Sequence, residues 1–451
     1  MLYNNYTNTY NMLNKKIFIG IFLFTVGLSN SQTTKKEINE IVKEWASPTK
    51  FPDHVVLSAT EDPSRSVGIN WRTEASNKIG YVELAVAGPG PYFKKNSKKY
   101  KAERTVVDSG QAYKDGFKAS YFEVQIDQLA PNTLYAYRVG NYHFKSEWHH
   151  FKTANNQPTP ISFLYVGDAQ NYILELWSRV IRNAYKTAPN ADFFIHAGDL
   201  VDDGHEEIDW NEWFAAGSFI HSEIPAIAVP GNHEYRYLDG SLFSQNEVLS
   251  VQWNAQFGFP KNGPKGLEKT CYYIDYPDLK IIALNSNIAI KRQAKWLRDV
   301  LKNNDKKWVV VTYHHPVFSA SSMRNNTEIR SNWKPVFEEF NIDLALQGHD
   351  HTYARGAIYE KPVVVKKDNE GNNIIGPVYV VSVSGAKMYS LDKSGWGEFG
   401  ATQGKTGERI QLFQHISIDG DRLIYRSFTA TGELFDRFEI LKQNGKNKYF
   451  D

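Results

Sequence analysis

Between His54 and Ala154, apolar and polar residues alternate in short runs: HVVLSAT, SVGINWRT, YVELAVAG, YFEVQID, TLYAYRVG and EWHHFKT. Polar, Gly-, Pro- and Asn-rich stretches divide them. A period of two at that spacing predicts half-buried strands and an all-β sandwich of about 100 residues. NNQPTP (155–160) reads as a linker, and beyond it the texture changes. ISFLYVGD (161–168) is apolar without a break, as in a strand buried on both faces. LELWSRVIRNAYKT (174–187) sets Leu174, Trp177, Val180, Ile181 and Ala184 on one helix face. Strand-like ADFFIHAGD, IPAIAVPGN, KIIALNS, WVVVTYHH and IDLALQGH then alternate with helical stretches around DWNEWFAAGSFI, RQAKWLRDVLKN and SNWKPVFEEF. That order predicts α/β layering. The chain ends in hairpins, clearest in HISIDGDRLIYRSF (415–428), which turns at Asp419-Gly420.

At 451 residues the chain exceeds the size of one ordinary core, so two or more domains are expected. The 52 basic and 50 acidic side chains nearly cancel, which gives no electrostatic case for a nucleic-acid partner or an anionic membrane. Lys15 and Lys16 precede the apolar run IFIGIFLFTVGL (17–28), and SNSQ (29–32) supplies small residues for a cut after Ser31. This reads as a signal peptide over 1–31, with export to the periplasm, cell surface or medium and no transmembrane segment in the mature chain. The single cysteine, Cys271, forms no internal disulfide, so the exported protein is held by its core, and by metal if it has one.

Within the β region, LAPNTLYAYRV (129–139) resembles the Leu-x-Pro-x-Thr-x-Tyr corner of fibronectin type III domains, which implies that Tyr135 is a buried structural tyrosine. In the α/β region, successive strands end in GDAQ (167–170), GDLVDDGH (198–205), GNHE (231–234), YHHP (313–316) and GHDH (348–351). Ligands bind outside the carboxyl ends of strands in open α/β sheets. One such motif is an ordinary turn or a core histidine; five together mark a site. Mixed carboxylate, amide and imidazole donors suit Mn, Zn or Fe better than Ca or Mg.

The set resembles the calcineurin-like metallophosphoesterases and, within them, the purple acid phosphatase branch; GHDHTYAR (348–355) is close to that branch's GHxHxYxR. The resemblance implies an α/β catalytic domain over 160–451, a four-layer β-sandwich flanked by helices, with 405–451 a β-hairpin segment. An all-β fibronectin III-like domain at 32–155 would precede it. It further implies two divalent or trivalent transition-metal ions. Asp168 and His351 would bind the first, Asp199 would bridge, and Asn232, His314 and His349 would complete the second. His233 would be proton donor or phosphate ligand. The implied function is an exported phosphoesterase that hydrolyses monoesters of phosphorylated small molecules. The attacking hydroxide would come from a metal-bound water whose pKa falls from about 15.7 to roughly 7. A phosphodiesterase or nucleotidase on the same metal core, or a catalytically silent surface binding protein, are the alternatives, and the oligomeric state is open.

Two positions depart from the family. Asp202 stands where purple enzymes carry the iron-binding tyrosine of GDxxY, and Gln170 where other metallophosphoesterases carry the histidine of Asp-x-His. Gln170 would lend its carbonyl to the first metal, or Asp202 would reach it, or water would fill the gap. As the preferred reading, Asp202 accepts a hydrogen bond from His233 and keeps that imidazole protonated. Asp203 occupies the place of a phosphate-binding arginine in phosphoprotein phosphatases; Arg236 and Arg355 are candidates to replace it, and His315 is a weaker ligand candidate than His314. His149 and His150 read as sandwich-surface residues, and His196 as facing the sheet interior.

Overall fold

The computed structural model describes residues 35–108, 117–237, 247–360, 371–392 and 395–451. The expected signal peptide lies outside them. No helix among the described residues is long and apolar enough to cross a membrane. Residues 43–451 form one compact unit.

The N-terminal part of that unit contains two antiparallel sheets. One runs Glu103–Asp108, Lys118–Ile126, Val67–Glu74, Asp53–Ser58. The other runs Lys98–Lys101, Tyr81–Val86, Leu134–Gly140, His149–Lys152. Ile69, Trp71, Val82, Phe122, Tyr137 and Phe151 fill the core. The sequence pattern misses Lys98–Lys101 and Glu103–Asp108, because KKYK and ERTVVD are charged and mostly exposed. Without a buried face there is no apolar alternation to read. Tyr135 is buried, and its hydroxyl accepts the Ala130 N–H at 2.9 Å. His149 is not a surface residue. It is buried, 3.0 Å from Ser222 Oγ, because its strand packs on the helix Phe219–Glu223.

Two further sheets face each other in the rest of the chain. The first runs Leu434–Gln443, Arg422–Thr429, Leu412–Asp419, Ile161–Val166, Phe193–His196, Ala226–Ala228, the last three parallel. The second runs Tyr272–Asp275, Leu279–Ala283, Trp308–Tyr313, Leu344–Gln347, Asn372–Val381, Tyr353–Tyr359, Thr402–Gly407, parallel from Leu279–Ala283 through Asn372–Val381. Lys446–Phe450 pairs with a strand of each. The Ser58–Ala226 pairing joins the first sheet to the N-terminal one.

Side-chain alternation sorts the core. Val310, Leu344, Leu346, Val378 and Val380 cluster between the sheets with Phe163 and Tyr165. Val309, Val311, Tyr313, Ala345 and Tyr379 instead meet Leu297, Trp333 and Phe337 of the helices Ile290–Lys302 and Thr327–Glu339. Both faces are covered, so these strands read as unbroken apolar runs. The helices Ser178–Thr187 and Glu207–Gly217 add Val180, Trp210 and Trp213 to the first sheet's core, and the turn Ile173–Trp177 adds Trp177. Their arrangement leaves the parallel strands to deliver the five motifs to one cluster.

Candidate metal centre

Asp168, Asp199 and His351 bring their ligand atoms within 4.8 Å of one another, and His314, His315 and His349 do the same. The two groups touch. His314 Nε2 lies 3.2 Å from Asp199 Oδ2, 3.3 Å from Asn232 Oδ1 and 3.1 Å from His349 Nδ1. The six residues named as ligands therefore stand together. His315 joins them, its ring 4.2 Å from that of His349 and its Nδ1 held at 2.8 Å by Ser286 Oγ.

The backbone is bent to achieve this. Asp168 (φ 41°), Asp199 (φ 48°), His349 (φ 75°) and His351 (φ 51°) are all left-handed. Such conformations cost non-glycine residues about 1–3 kcal/mol each and gather where function requires the geometry. The His349 N–H donates to both Asp168 carboxylate oxygens, at 2.8 and 2.9 Å. Close packing dictates two glycines: a Cβ on Gly198 (φ 87°) would lie 2.5 Å from the His314 ring, and one on Gly231 2.0 Å from Asp199 Oδ1.

Glu234, the last letter of GNHE, was assigned no role by sequence. It is fully buried and accepts the N–H groups of Asp199 (3.0 Å), Leu200 (2.8 Å), Val201 (3.3 Å) and Gly231 (2.7 Å). One carboxylate thus ties the GD loop to the GN loop. Burial, reinforced by the Asp199 charge, pushes it up to about 8.

Several observations test whether a metal fits. His314 Nδ1 donates to the Ala197 carbonyl at 2.9 Å and His351 Nδ1 to the Lys387 carbonyl at 3.0 Å, leaving each Nε2 free to coordinate. Burial drives His351 and His315 down to about 3 and His349 well down, so these imidazoles are neutral donors. Burial opposes a charge on His314 too, but Asp199 and Asp168 outweigh it and lift the group to about 9, an attraction any cation there would share. Most telling is Gln170. Its Nε2 sits 2.7 Å from Asp199 Oδ2 and 3.4 Å from His351 Nε2, while its buried Oε1 has no partner. Turning the amide, whose two ends are assigned only from their contacts, aims that oxygen into the cluster. A set of two carboxylates, two amides and several imidazoles, with Asp168, Asp199, Gln170, His314 and His351 buried, fits transition-metal ions.

Other candidates behave differently. His233 Nδ1 donates to the backbone carbonyl of Asp202; the Asp202 carboxylate is 3.6 Å away and 47% exposed. The expected acceptor was the carboxylate, and the local turn supplies the carbonyl instead. Neither does that carboxylate join the metal cluster. Asp203 is a turn residue, accepting the His205 N–H at 2.9 Å. Arg355 stays away from the site: buried, it donates to Asp436 at 2.7 and 3.2 Å and pairs with Asp451 at 2.5 Å, so its charge is spent inside the fold. The side chain of Arg236 lies outside the described residues. The arginine that does reach the site is Arg324, which donates from Nη1 to the His349 carbonyl and stands in a stretch, SSMRNN, without any motif.

Residues 148–353 match the calcineurin-like phosphoesterase family model, and residues 52–153 match the purple acid phosphatase N-terminal domain. The chain carries a calcineurin-like metallophosphoesterase domain behind a purple acid phosphatase N-terminal domain. It is 23% identical to a phosphoenolpyruvate phosphatase of Allium cepa over 77% of this chain and 73% of the relative. With acid phosphatase type 7 of Homo sapiens it shares 22% identity over 75% of this chain and 78% of the relative. In fold it is similar to a purple acid phosphatase from yellow lupin (Lupinus luteus) seeds, with TM-score 0.72 at 17% identity, over 88% of this chain and 75% of that one. The enzyme class is accordingly a metallophosphoesterase hydrolase.

Proposed function

We propose that the protein is an exported dinuclear phosphoesterase that hydrolyses phosphate monoesters of small molecules. The observation that carries this reading is the gathering of Asp168, Asp199, Asn232, His314, His349 and His351 at one point, with the unpartnered Gln170 oxygen among them. Asp168, Gln170 and His351 would hold one ion and Asn232, His314 and His349 the other, with Asp199 shared. Two such cations supply Lewis acidity: they offset the phosphate's charge and acidify a water nucleophile.

His233 stands beside this cluster, its Nε2 4.0 Å from Asp199 Oδ2. The Asp202 carbonyl fixes the ring through Nδ1, so Nε2 is the atom that would pass a proton to the departing oxygen. Export rests on the sequence at 1–31, and the assignment of 32–155 and 160–451 as separate domains rests on the change in texture at the linker.

A panel of aryl monoesters and diesters, assayed across pH on protein of measured metal content, tests the reading. Monoesters should react at least about tenfold faster. Faster diesters would shift the reading to a phosphodiesterase; no hydrolysis at full metal content would make the protein a binding module.

A further inference from the structure

We infer that Arg324 and Lys387, flanking Tyr389 at the rim of the metal centre, form an anion subsite that grips the terminal oxygens of a phosphate monoester dianion. This rests on the functional reading above and adds to it a source of substrate selectivity.

The geometry starts from GHDH. Its third residue, Asp350, is fully buried, and Oδ2 accepts the Ala320 N–H at 2.5 Å and the Ser319 hydroxyl at 2.9 Å. Asp350 Oδ1 has no hydrogen bond and faces Arg324 Nη1 at 3.7 Å. Asp350 therefore fastens the loop that carries Arg324 and orients its guanidinium. Nη1 also donates to the His349 carbonyl, which pins one edge of the fork behind that imidazole. Among the described residues nothing else takes the remaining N–H groups, and the side chain is 25% exposed.

Lys387 mirrors it. Its carbonyl holds His351 Nδ1 at 3.0 Å, and its ammonium lies 6.0 Å from the Tyr389 ring centre, with the Arg324 guanidinium 5.1 Å from the same centre. Tyr389 in turn packs edge-on against His351 at 4.7 Å. Each histidine of GHDH thus has a backbone hydrogen bond to a residue that carries a cation, and both cations lie near one aromatic ring. A guanidinium presents paired donors that match two phosphate oxygens, and a phosphate monoester carries close to two charges near neutral pH where a diester carries one. Two cations beside the site, with Arg324 held in place by the His349 carbonyl, therefore favour the monoester.

The test uses the full metal-loaded chain with Arg324→Ala, Arg324→Lys and Lys387→Ala. Inorganic phosphate is titrated calorimetrically, and KM and kcat are measured on one aryl monoester and its diester. Arg324→Ala should keep its metal, weaken phosphate binding about tenfold or more, and raise the monoester KM; the diester should lose far less, so the monoester-to-diester ratio falls about tenfold. Arg324→Lys should lie between, and Lys387→Ala should shift the ratio in the same direction. Unchanged phosphate affinity, equal losses on both esters, or loss of metal from the Arg324 variants would overturn the subsite. Phosphate binding reads the subsite even if the wild-type protein hydrolyses neither ester, a result that would instead undo the functional reading.

Discussion

His233 hands its Nδ1–H to the backbone carbonyl of Asp202, and the Asp202 carboxylate stands beside that bond at 3.6 Å, nearly half exposed. A carbonyl survives substitution of its side chain. Asp202→Asn should therefore keep both metals and lose less than about threefold in kcat, since an exposed charge at that distance contributes little. A loss beyond tenfold, or one missing metal equivalent, would restore the carboxylate to the mechanism.

His233→Ala should keep its metal and lose about 10²–10⁴ in kcat on esters with poor leaving groups. The deficit should shrink for phenolates that depart unprotonated. Equal losses on both kinds of ester would mean that the imidazole donates no proton.

Gln170→Ala removes the buried oxygen that has no partner. It should weaken one of the two metal sites by about tenfold or more while the other keeps its affinity, and Gln170→His should recover the loss. A competitive chelator titration reads both. Identical titrations for wild type and Gln170→Ala would exclude the amide as a ligand.

Acid stability should depend on histidines far from the metals. Burial holds His54 and His221 at about 3, against an ordinary 6.5. The unfolded chain protonates them first on acidification, so their contribution is complete above about pH 6.5 and falls away as the pH drops toward 3. Each adds up to about 1.4 kcal/mol per pH unit over that range. Urea midpoints measured from pH 7 to 5 should fall, and His221→Gln should flatten the slope by one histidine's share. A parallel slope in the variant would refute that.

Much of this molecule could be read from its sequence, for reasons that particular residues make plain. The runs at 161–166 and 308–313 named buried strands because sheet or helix covers each face. The strand ends marked the site because few side chains bind a transition metal, and the resemblance of their motifs to the metallophosphoesterases implied the six ligands. Arg355 misled: four positions past His351, it looked adjacent to the site, yet its strand carries it to Asp436. Arg324 was invisible for the opposite reason, since Asp350 brings it in from an irregular loop 26 positions away in sequence. Glu234 carries no signal of its role in GNHE, because four backbone N–H groups converging on one carboxylate leave no spacing to recognise.

The central claim is that Asp168, Asp199, Asn232, His314, His349 and His351 hold two catalytic metal ions. Metal equivalents per chain, counted by elemental analysis alongside hydrolysis of an activated aryl phosphate, test it most directly. The account predicts close to two equivalents of Mn, Zn or Fe, activity that vanishes on chelation, and activity that returns as the second equivalent is restored. Full activity in a chain verified to be metal-free would contradict it.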